Sequence, residues 1–137
     1  MNNLNSILIE GNLCADPIMR YTPSGMEVCT FRIGVNRYYK KNGEEDYTQE
    51  SSFFQTETWS KLAVACAKNL VKGRGVRVVG RIRQDRWIDE AGGHQSMVKI
   101  VAEHVEFKPQ IKKSDGTEVT EDEIAEECGI AESVEVV

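Results

Sequence analysis

The stretch 60-SKLAVACAKNLVKG-73 decides how this chain is organised. Its apolar residues recur every three or four positions, which predicts an amphipathic helix. The apolar stripe consists of Leu62, Ala63, Cys66, Ala67 and Leu70. Ser60 is a candidate N-cap, and Lys72 followed by Gly73 is typical of a helix end. The segments before and after it alternate with a period of two, so a single helix is predicted within an otherwise β-stranded body.

Five segments around this helix are predicted as strands. They are residues 6–13, 27–36, 52–59, 75–87 and 96–107. Apolar and polar residues alternate along most of them, which is typical of strands with one buried and one solvated face. Gly80 is a candidate bulge, and the switch of apolar face between Ala102 and Val105 predicts a bend or bulge in the last strand.

Two intervening segments carry turn signals. Residues 15–27 contain two prolines and a Ser-Gly pair, so they are predicted as turn and loop. Residues 37–51 contain Asn42-Gly43, which predicts a hairpin turn. The resulting order of three strands, one helix and two strands is that of an OB-fold, a five-stranded, partly open Greek-key barrel. We therefore expect an all-β OB-fold domain over residues 1–108.

The charge of the chain is unevenly distributed. Residues 1–110 hold 15 Lys and Arg against 13 Asp and Glu, a net of +2, whereas residues 111–137 hold 2 against 9, a net of −7. We predict a disordered acidic tail over residues 109–137, because so few large apolar groups cannot offset the entropy of ordering it. A weak helix starting at the capping box of Thr120 and Glu123 is the alternative.

Several functional classes find no support in the composition. No apolar run approaches the roughly 20 residues that a membrane span needs, and no export signal is visible, so a cytoplasmic protein is expected. The four cysteines lack the close pairing of a zinc site and are predicted to be reduced, small apolar residues. The carboxylates and the two histidines are scattered, so we expect no metal, no cofactor and no catalysis.

Aromatic and cationic residues occur together on the predicted solvent faces of three strands. They are Tyr38 or Tyr39, Lys40, Lys41, Phe53, Trp59, Arg81, Arg83, Arg86 and Trp87. Exposed rings are costly to leave without a partner. Single-stranded nucleic acid suits both kinds of group, because its bases stack on rings and its phosphates attract cations. Phe54 falls on the opposite face and is predicted to pack in the core or at a subunit contact.

The chain resembles the bacterial single-stranded DNA-binding proteins over about residues 1–108. The segments that carry the resemblance are ILIEGNLCADPIMRYTPSGMEVCTFRIGVN (7–36), WSKLAVACAKNLVKG (59–73) and VVGRIRQDRWIDEAGG (78–93). The resemblance implies an OB domain that forms a homotetramer and coats single-stranded DNA, protecting it in replication, recombination and repair. A nucleoid-associated protein in the cytoplasm is expected.

The resemblance also implies roles for particular residues. Stacking positions fall on Tyr39, Phe53, Trp59 and Trp87; commonly basic positions fall on Arg20, Lys61, Lys72, Arg83 and Arg86. Lys40 and Arg81 join the phosphate-binding set through the residue pattern. Asp85 and Gln55 stand where the family often has a cation. The chain ends in AESVEVV without the usual Asp-Phe-like tip, which weakens the expected recruitment of replication and repair proteins.

Three other interpretations remain open at this stage. An OB-fold adaptor of the primosome type would act mainly through protein contacts. An OB-fold nuclease would need clustered carboxylates or a histidine base, which the sequence does not show. RNA is a further candidate ligand, because stacking does not read the sugar.

Overall fold

In a computed structural model of the chain, residues 1–109 are described and form six strands and one helix. The elements are β1 (Ile7–Leu13), β2 (Ile18–Tyr21), β3 (Glu27–Lys40), β4 (Tyr47–Trp59), α1 (Ser60–Asn69), β5 (Gly75–Ile88) and β6 (His94–Phe107). The single helix of residues 1–109 is not long and apolar enough to cross a membrane. The predicted acidic tail, beyond its first residue, lies outside the described residues.

The strands close into a barrel. Their order in the sheet is β1-β5-β6-β4-β3-β2, and β1 also pairs with β3 through Asn12 with Gly34 and Leu13 with Ile33. All pairings are antiparallel except that of β4 with β6. Five strands thus form the closed ring, and α1 follows β4 directly. This architecture confirms the predicted OB-fold.

The short strand β2 corrects the prediction of a loop over residues 15–27. Its four residues pair with the start of β3, with Met19 opposite Cys29 and Arg20 opposite Val28. Pro17 and Pro23 flank the strand and hide its signal, because proline cannot donate a ladder hydrogen bond and so confines the strand to a few residues. The helix consequently lies between the fourth and fifth strands of the chain.

The hairpin of β3 and β4 is longer than predicted. Strand β3 runs four residues past Asn36, and β4 begins at Tyr47 rather than at Ser52. Gly43 adopts a φ of 86° in the connecting turn, a conformation that glycine takes without steric cost. The extension carries three tyrosines away from the barrel on a two-stranded arm.

The core lies between α1 and the inner faces of the strands. The predicted helical stripe is confirmed, since Ala63, Cys66 and Leu70 are buried and Leu62 and Ala67 pack against them. Burial, with a smaller contribution from Cys29, raises the pKa of the Cys66 thiol to about 12. Cys14, Cys29 and Cys66 are all buried, as expected for cysteines used as small apolar residues.

Both predicted ends of the helix are wrong. The N-cap is Trp59, which makes no side-chain capping hydrogen bond, and Ser60 is instead the first helical residue with a φ of 58°. Strand β4 runs into α1 without a loop, so no extended residue is left at position 60 to cap. The helix ends at Asn69, where the Leu70 N–H donates to the Cys66 carbonyl at 2.9 Å, four residues before Gly73.

A bulge lies in the β5–β6 pair. Val79 pairs with His104 and Gly80 with Ala102, so Glu103 has no partner in the ladder. The predicted change of face in the last strand is therefore confirmed, and the extra residue belongs to β6 rather than to Gly80. The alternation of β5 consequently continues unbroken, and Arg83 and Trp87 stay on one side of the strand.

Gly11 provides a test of barrel closure. A Cβ at this position would lie 2.3 Å from the backbone oxygen of Gly34 on β3. We expect Gly11→Ala to lower the free energy of unfolding by about 1–3 kcal/mol, because backbone must move to relieve the clash. Denaturant unfolding measures the change.

Gly43→Asn is the matched control. No atom lies within 4 Å of the added Cβ, and asparagine tolerates positive φ. Its free energy of unfolding should stay close to that of the unchanged chain. Equal stability of both variants would show that the close approach of β1 and β3 is not required.

Candidate nucleic-acid interface

The outer face of β4 carries Phe53, Gln55, Glu57 and Trp59, which we call the β4 face. The intervening Thr56 and Thr58 point into the barrel and are fully buried. Thr58 Oγ1 donates to the Cys29 carbonyl at 2.8 Å, which satisfies its hydroxyl inside the core. Because a strand alternates, this buried pair fixes Glu57 and Trp59 on the outside.

Four neighbouring strands bring cations to the β4 face. The Arg32 guanidinium of β3 lies 5.2 Å from the centroid of the Phe53 ring. Arg20 of β2 and Arg83 of β5 approach the Glu57 carboxylate at 3.8 and 3.0 Å. Lys99 of β6 lies 2.5 Å from the same carboxylate. Lys99 is absent from the sequence prediction, because only the pairing of β6 reveals its position.

Glu57 is the centre of this arrangement, although its side chain is only 2% exposed. It accepts a hydrogen bond from the Trp59 indole Nε1–H at 2.7 Å. Burial acts to raise the pKa of Glu57, but hydrogen bonds from Lys99 and Trp59 and the charges of Lys99 and Arg83 outweigh it, so the pKa is lowered. The carboxylate is therefore ionised at neutral pH.

Asp85 supplies a second carboxylate to the cluster. It lies 2.5 Å from Lys99 and 3.1 Å from Arg83, and the hydrogen bond from Lys99 is the main cause that lowers the pKa of Asp85. Three cations thus meet two carboxylates, which leaves a net charge of +1. Arg83 and Lys99 are largely compensated, whereas Arg20 is 61% exposed and touches Glu57 only at 3.8 Å. Arg20 is the cation of this cluster most open to an anion.

Trp87 lies on the same face of β5 as Arg83 and Asp85, near the end of the β5–β6 hairpin. Its residue is 48% exposed, and it borders an open cleft with Ile88, His94 and Gln95. The structure therefore places Phe53 and Trp59 on the β4 face, on either side of Glu57 along the strand, and Trp87 farther out along β5.

Tyr39 lies on the other face of the β3–β4 arm. The Arg37 guanidinium stands 5.0 Å from its ring, two residues along the same side of β3. By strand alternation Tyr38 shares the side of Phe53, and so does Tyr47, whose ring is 5.0 Å from the Lys40 ammonium. Tyr47 is absent from the sequence prediction, because its side depends on the register of the long hairpin.

The remaining predicted cations are dispersed. Lys61 is exposed on α1, and Lys72 is half-buried in the turn after it, where its backbone N–H donates to Asp16 at 2.8 Å. Arg81 lies 3.6 Å from Glu103, and Arg86 occupies the opposite side of β5 from Arg83.

Phe54 lies opposite Ile33 on β3, on the side of β4 that faces the core. Its residue is 38% exposed, so the predicted core position is wrong at this point of the strand, where the core has ended. The predicted subunit contact stays open for this ring.

The described part of the chain contains no cluster of three or more His, Cys, Asp or Glu side chains placed to hold a metal ion. The chemistry that the β4 face offers is that of flat rings, guanidinium groups and a compensated charge cluster.

Comparison with known proteins identifies the family. Residues 4–108 match the model of the single-strand binding protein family. The chain belongs to this family. Single-strand binding proteins are non-catalytic DNA-binding proteins, in agreement with the expectation that the chain is not an enzyme.

Two bacterial relatives illustrate the similarity. A single-stranded DNA-binding protein of Caldanaerobacter subterraneus is 40% identical over 104 residues, which cover 76% of this chain and 67% of the relative. One from Aquifex aeolicus is 38% identical over 133 residues, which cover 96% of this chain and 86% of the relative. The similarity to the second relative extends well beyond the barrel.

A solved structure shares the fold. The Plasmodium falciparum SSB in complex with ssDNA superposes with a TM-score of 0.72 at 18% identity, covering 80% of this chain and 98% of that one. This single-strand binding protein fold is thus retained at low sequence identity.

The charge cluster predicts a dependence of stability on pH. Folding lowers the pKa of Glu57 below its ordinary value near 4.5. Its contribution is therefore fully present above that value and is lost as the pH falls through the lower, folded-state pKa. We expect Glu57→Gln to melt at a lower temperature than the unchanged chain at pH 7, with a gap that narrows below pH 4.5. Thermal unfolding across this pH range measures the gap.

Glu50→Gln is the control for that measurement. Glu50 pairs with Arg37 at 3.3 Å on the exposed arm, where an ion pair contributes at most about 1 kcal/mol. Two results would contradict the prediction. One is a difference in melting temperature for Glu57→Gln that is the same at all pH values, and the other is a difference no larger than that of Glu50→Gln.

Proposed function

We propose that this chain binds single-stranded DNA and coats it without catalysis and largely without regard to base sequence. The observation that carries the proposal is the β4 face, where Phe53 and Trp59 stand beside Arg20, Arg32 and Arg83. The names of the bacterial relatives and the ssDNA-bound structural neighbour support it. Coating of this kind blocks reannealing, hairpin formation and nuclease attack.

Base stacking supplies most of the affinity in this proposal. Phe53, Trp59 and Trp87 offer faces to unpaired bases, and alanine substitution in proteins of this class puts each stack at about 1–3 kcal/mol. Stacking does not read base edges, so sequence preference is weak. Double-stranded DNA gains nothing from these rings, because its bases are already stacked.

Tyr39 takes part only if the DNA strand crosses the arm of the β3–β4 hairpin, since its ring lies on the side of Arg37. Tyr38 and Tyr47 extend the side of Phe53 instead, and they are 59% and 69% exposed. We include them as further stacking surfaces along the arm.

Phosphate neutralisation is the second component. We assign it to the predicted basic residues of the barrel, among which Arg20 is the most available beside the β4 face. The others are Lys40, Lys61, Lys72, Arg81, Arg83 and Arg86. Phosphate contacts release counterions, so added salt weakens binding. Arg83 contributes less than its position suggests, because Glu57 and Asp85 already compensate its charge.

The biological setting follows from the same proposal. The chain acts as a homotetramer associated with the nucleoid in the cytoplasm and protects single strands during replication, recombination and repair. The acidic sequence after residue 110 contacts replication and repair proteins.

Alanine substitution of the tryptophans tests the stacking. We expect Trp59→Ala and Trp87→Ala each to weaken oligo-dT binding by about 1–3 kcal/mol, or about 5- to 150-fold. Titration of the remaining tryptophan fluorescence with oligo-dT in low salt gives the affinities.

Phe54→Ala removes a ring from the other side of β4 and serves as the control, with an expected change of less than about twofold. Unchanged titration curves for both tryptophan variants would overturn the stacking proposal. Micromolar or weaker binding by the unchanged chain would favour the primosome-type adaptor.

The homotetramer is tested separately. Large apolar side chains on β1, β5 and β6 are exposed in the single chain, among them Leu8 at 70%, Ile82 at 47% and Val98 at 59%. Such a set is costly to leave in water. Analytical ultracentrifugation at micromolar concentration should give four times the 15.4 kDa mass of the chain. A monomer alone would refute this part of the proposal.

A further inference from the structure

Glu57 is an unexpected residue at the centre of a face that is proposed to bind a polyanion. Its carboxylate repels phosphate and competes for Arg20, Arg83 and Lys99. A carboxylate in this place weakens phosphate binding, so a second role is needed to offset that cost. Its contacts indicate what that purpose is.

Besides its ion pairs with the cations, Glu57 makes one contact of a different kind, a hydrogen bond with Trp59. The indole Nε1–H donates to Glu57 Oε1 at 2.7 Å, from two residues farther along the same side of β4. The other oxygen, Oε2, lies 2.5 Å from the Lys99 ammonium, and the Arg83 guanidinium reaches Oε1 at 3.0 Å. Two strands therefore hold the carboxylate still, and the carboxylate in turn holds the indole.

Trp59 needs such support because of where it stands. It is the last residue of β4 and the N-cap of α1, and the next residue has a φ of 58°. A half-buried ring at this junction has freedom to rotate unless a directional contact fixes its plane. A hydrogen bond from the edge of the indole covers neither ring face, so it does not compete with a stacked base.

We propose that Glu57 is a positioning residue for base stacking, which fixes the Trp59 indole in the orientation that a base requires. The inference rests on the proposed function, since it concerns the same face and ligand. Glu57 lowers the affinity for phosphate, and the more favourable stacking of a base on the fixed Trp59 ring offsets this loss.

The test separates the hydrogen bond from the charge. Glu57→Leu removes both, Glu57→Gln keeps an oxygen that can accept the indole N–H, and Asp85→Asn removes one negative charge from Arg83 and Lys99 without touching Trp59. We expect Glu57→Leu to bind oligo-dT about 2- to 10-fold more weakly than Asp85→Asn, the range that follows from ordering one side chain on binding. Glu57→Gln should lie within about twofold of Asp85→Asn.

The same pair of variants is then compared in a Trp59→Phe background. Phenylalanine keeps a ring but has no N–H, so Glu57→Leu and Asp85→Asn should now bind within about twofold of each other. A difference that persists in this background, or no difference in the presence of Trp59, would overturn the inference.

Hydrogen exchange of the indole protons gives a measurement on the unchanged chain, independent of whether Glu57→Leu folds. In the chain free of DNA, the Trp59 indole proton should exchange more slowly than that of the exposed Trp87. Equal exchange rates would overturn the proposed role of Glu57. If the proposed function itself were wrong, Trp59→Ala would leave oligo-dT binding unchanged. If only the role of Glu57 were wrong, Trp59→Ala would still weaken binding.

Discussion

Closure of the barrel between β1 and β3 is the constraint on which the other features depend. Among residues 1–109, two residue pairs form the ladder between these strands, and Gly11 allows the backbones to approach to a distance that a Cβ would prevent. Leu13 and Ile33, one of the two pairs, are completely buried. Once the ring is closed, each strand has one inside and one outside. The alternation of β4 then places Thr58 in the core and Trp59 on the surface.

The β4 face shows how opposing electrostatic requirements are met in one place. Free guanidinium groups attract phosphate, but several cations packed together repel one another. Glu57 and Asp85 relieve that repulsion around Lys99 and Arg83 and leave a small positive excess, carried mainly by Arg20. Removing one partner of a buried ion pair costs about 3–5 kcal/mol, so the cluster also ties β4, β5 and β6 together. The β4 face thus combines aromatic rings in fixed positions with a small net positive charge, which attracts a phosphate backbone moderately.

The sequence predicted the features that depend on local periodicity. The stripe around Cys66 and the alternation through Phe31 were sufficient for the helix and the barrel order. Features that depend on neighbours distant in sequence were missed: Lys99 joins the site only through the β5–β6 register, and the side of Tyr39 only through the length of the hairpin. Ser60 failed as a cap because the strand and helix join without a loop, which propensity alone does not reveal.

The buried thiols have a practical consequence. With the pKa of Cys66 raised to about 12 and that of Cys29 raised by burial, almost no thiolate exists in the closed barrel at neutral pH. Alkylating reagents therefore reach these two sulfurs only when the domain opens. Their rates of modification therefore report how often the native domain opens. The order in which Cys66 of α1 and Cys29 of β3 react would show which of the two elements becomes accessible first.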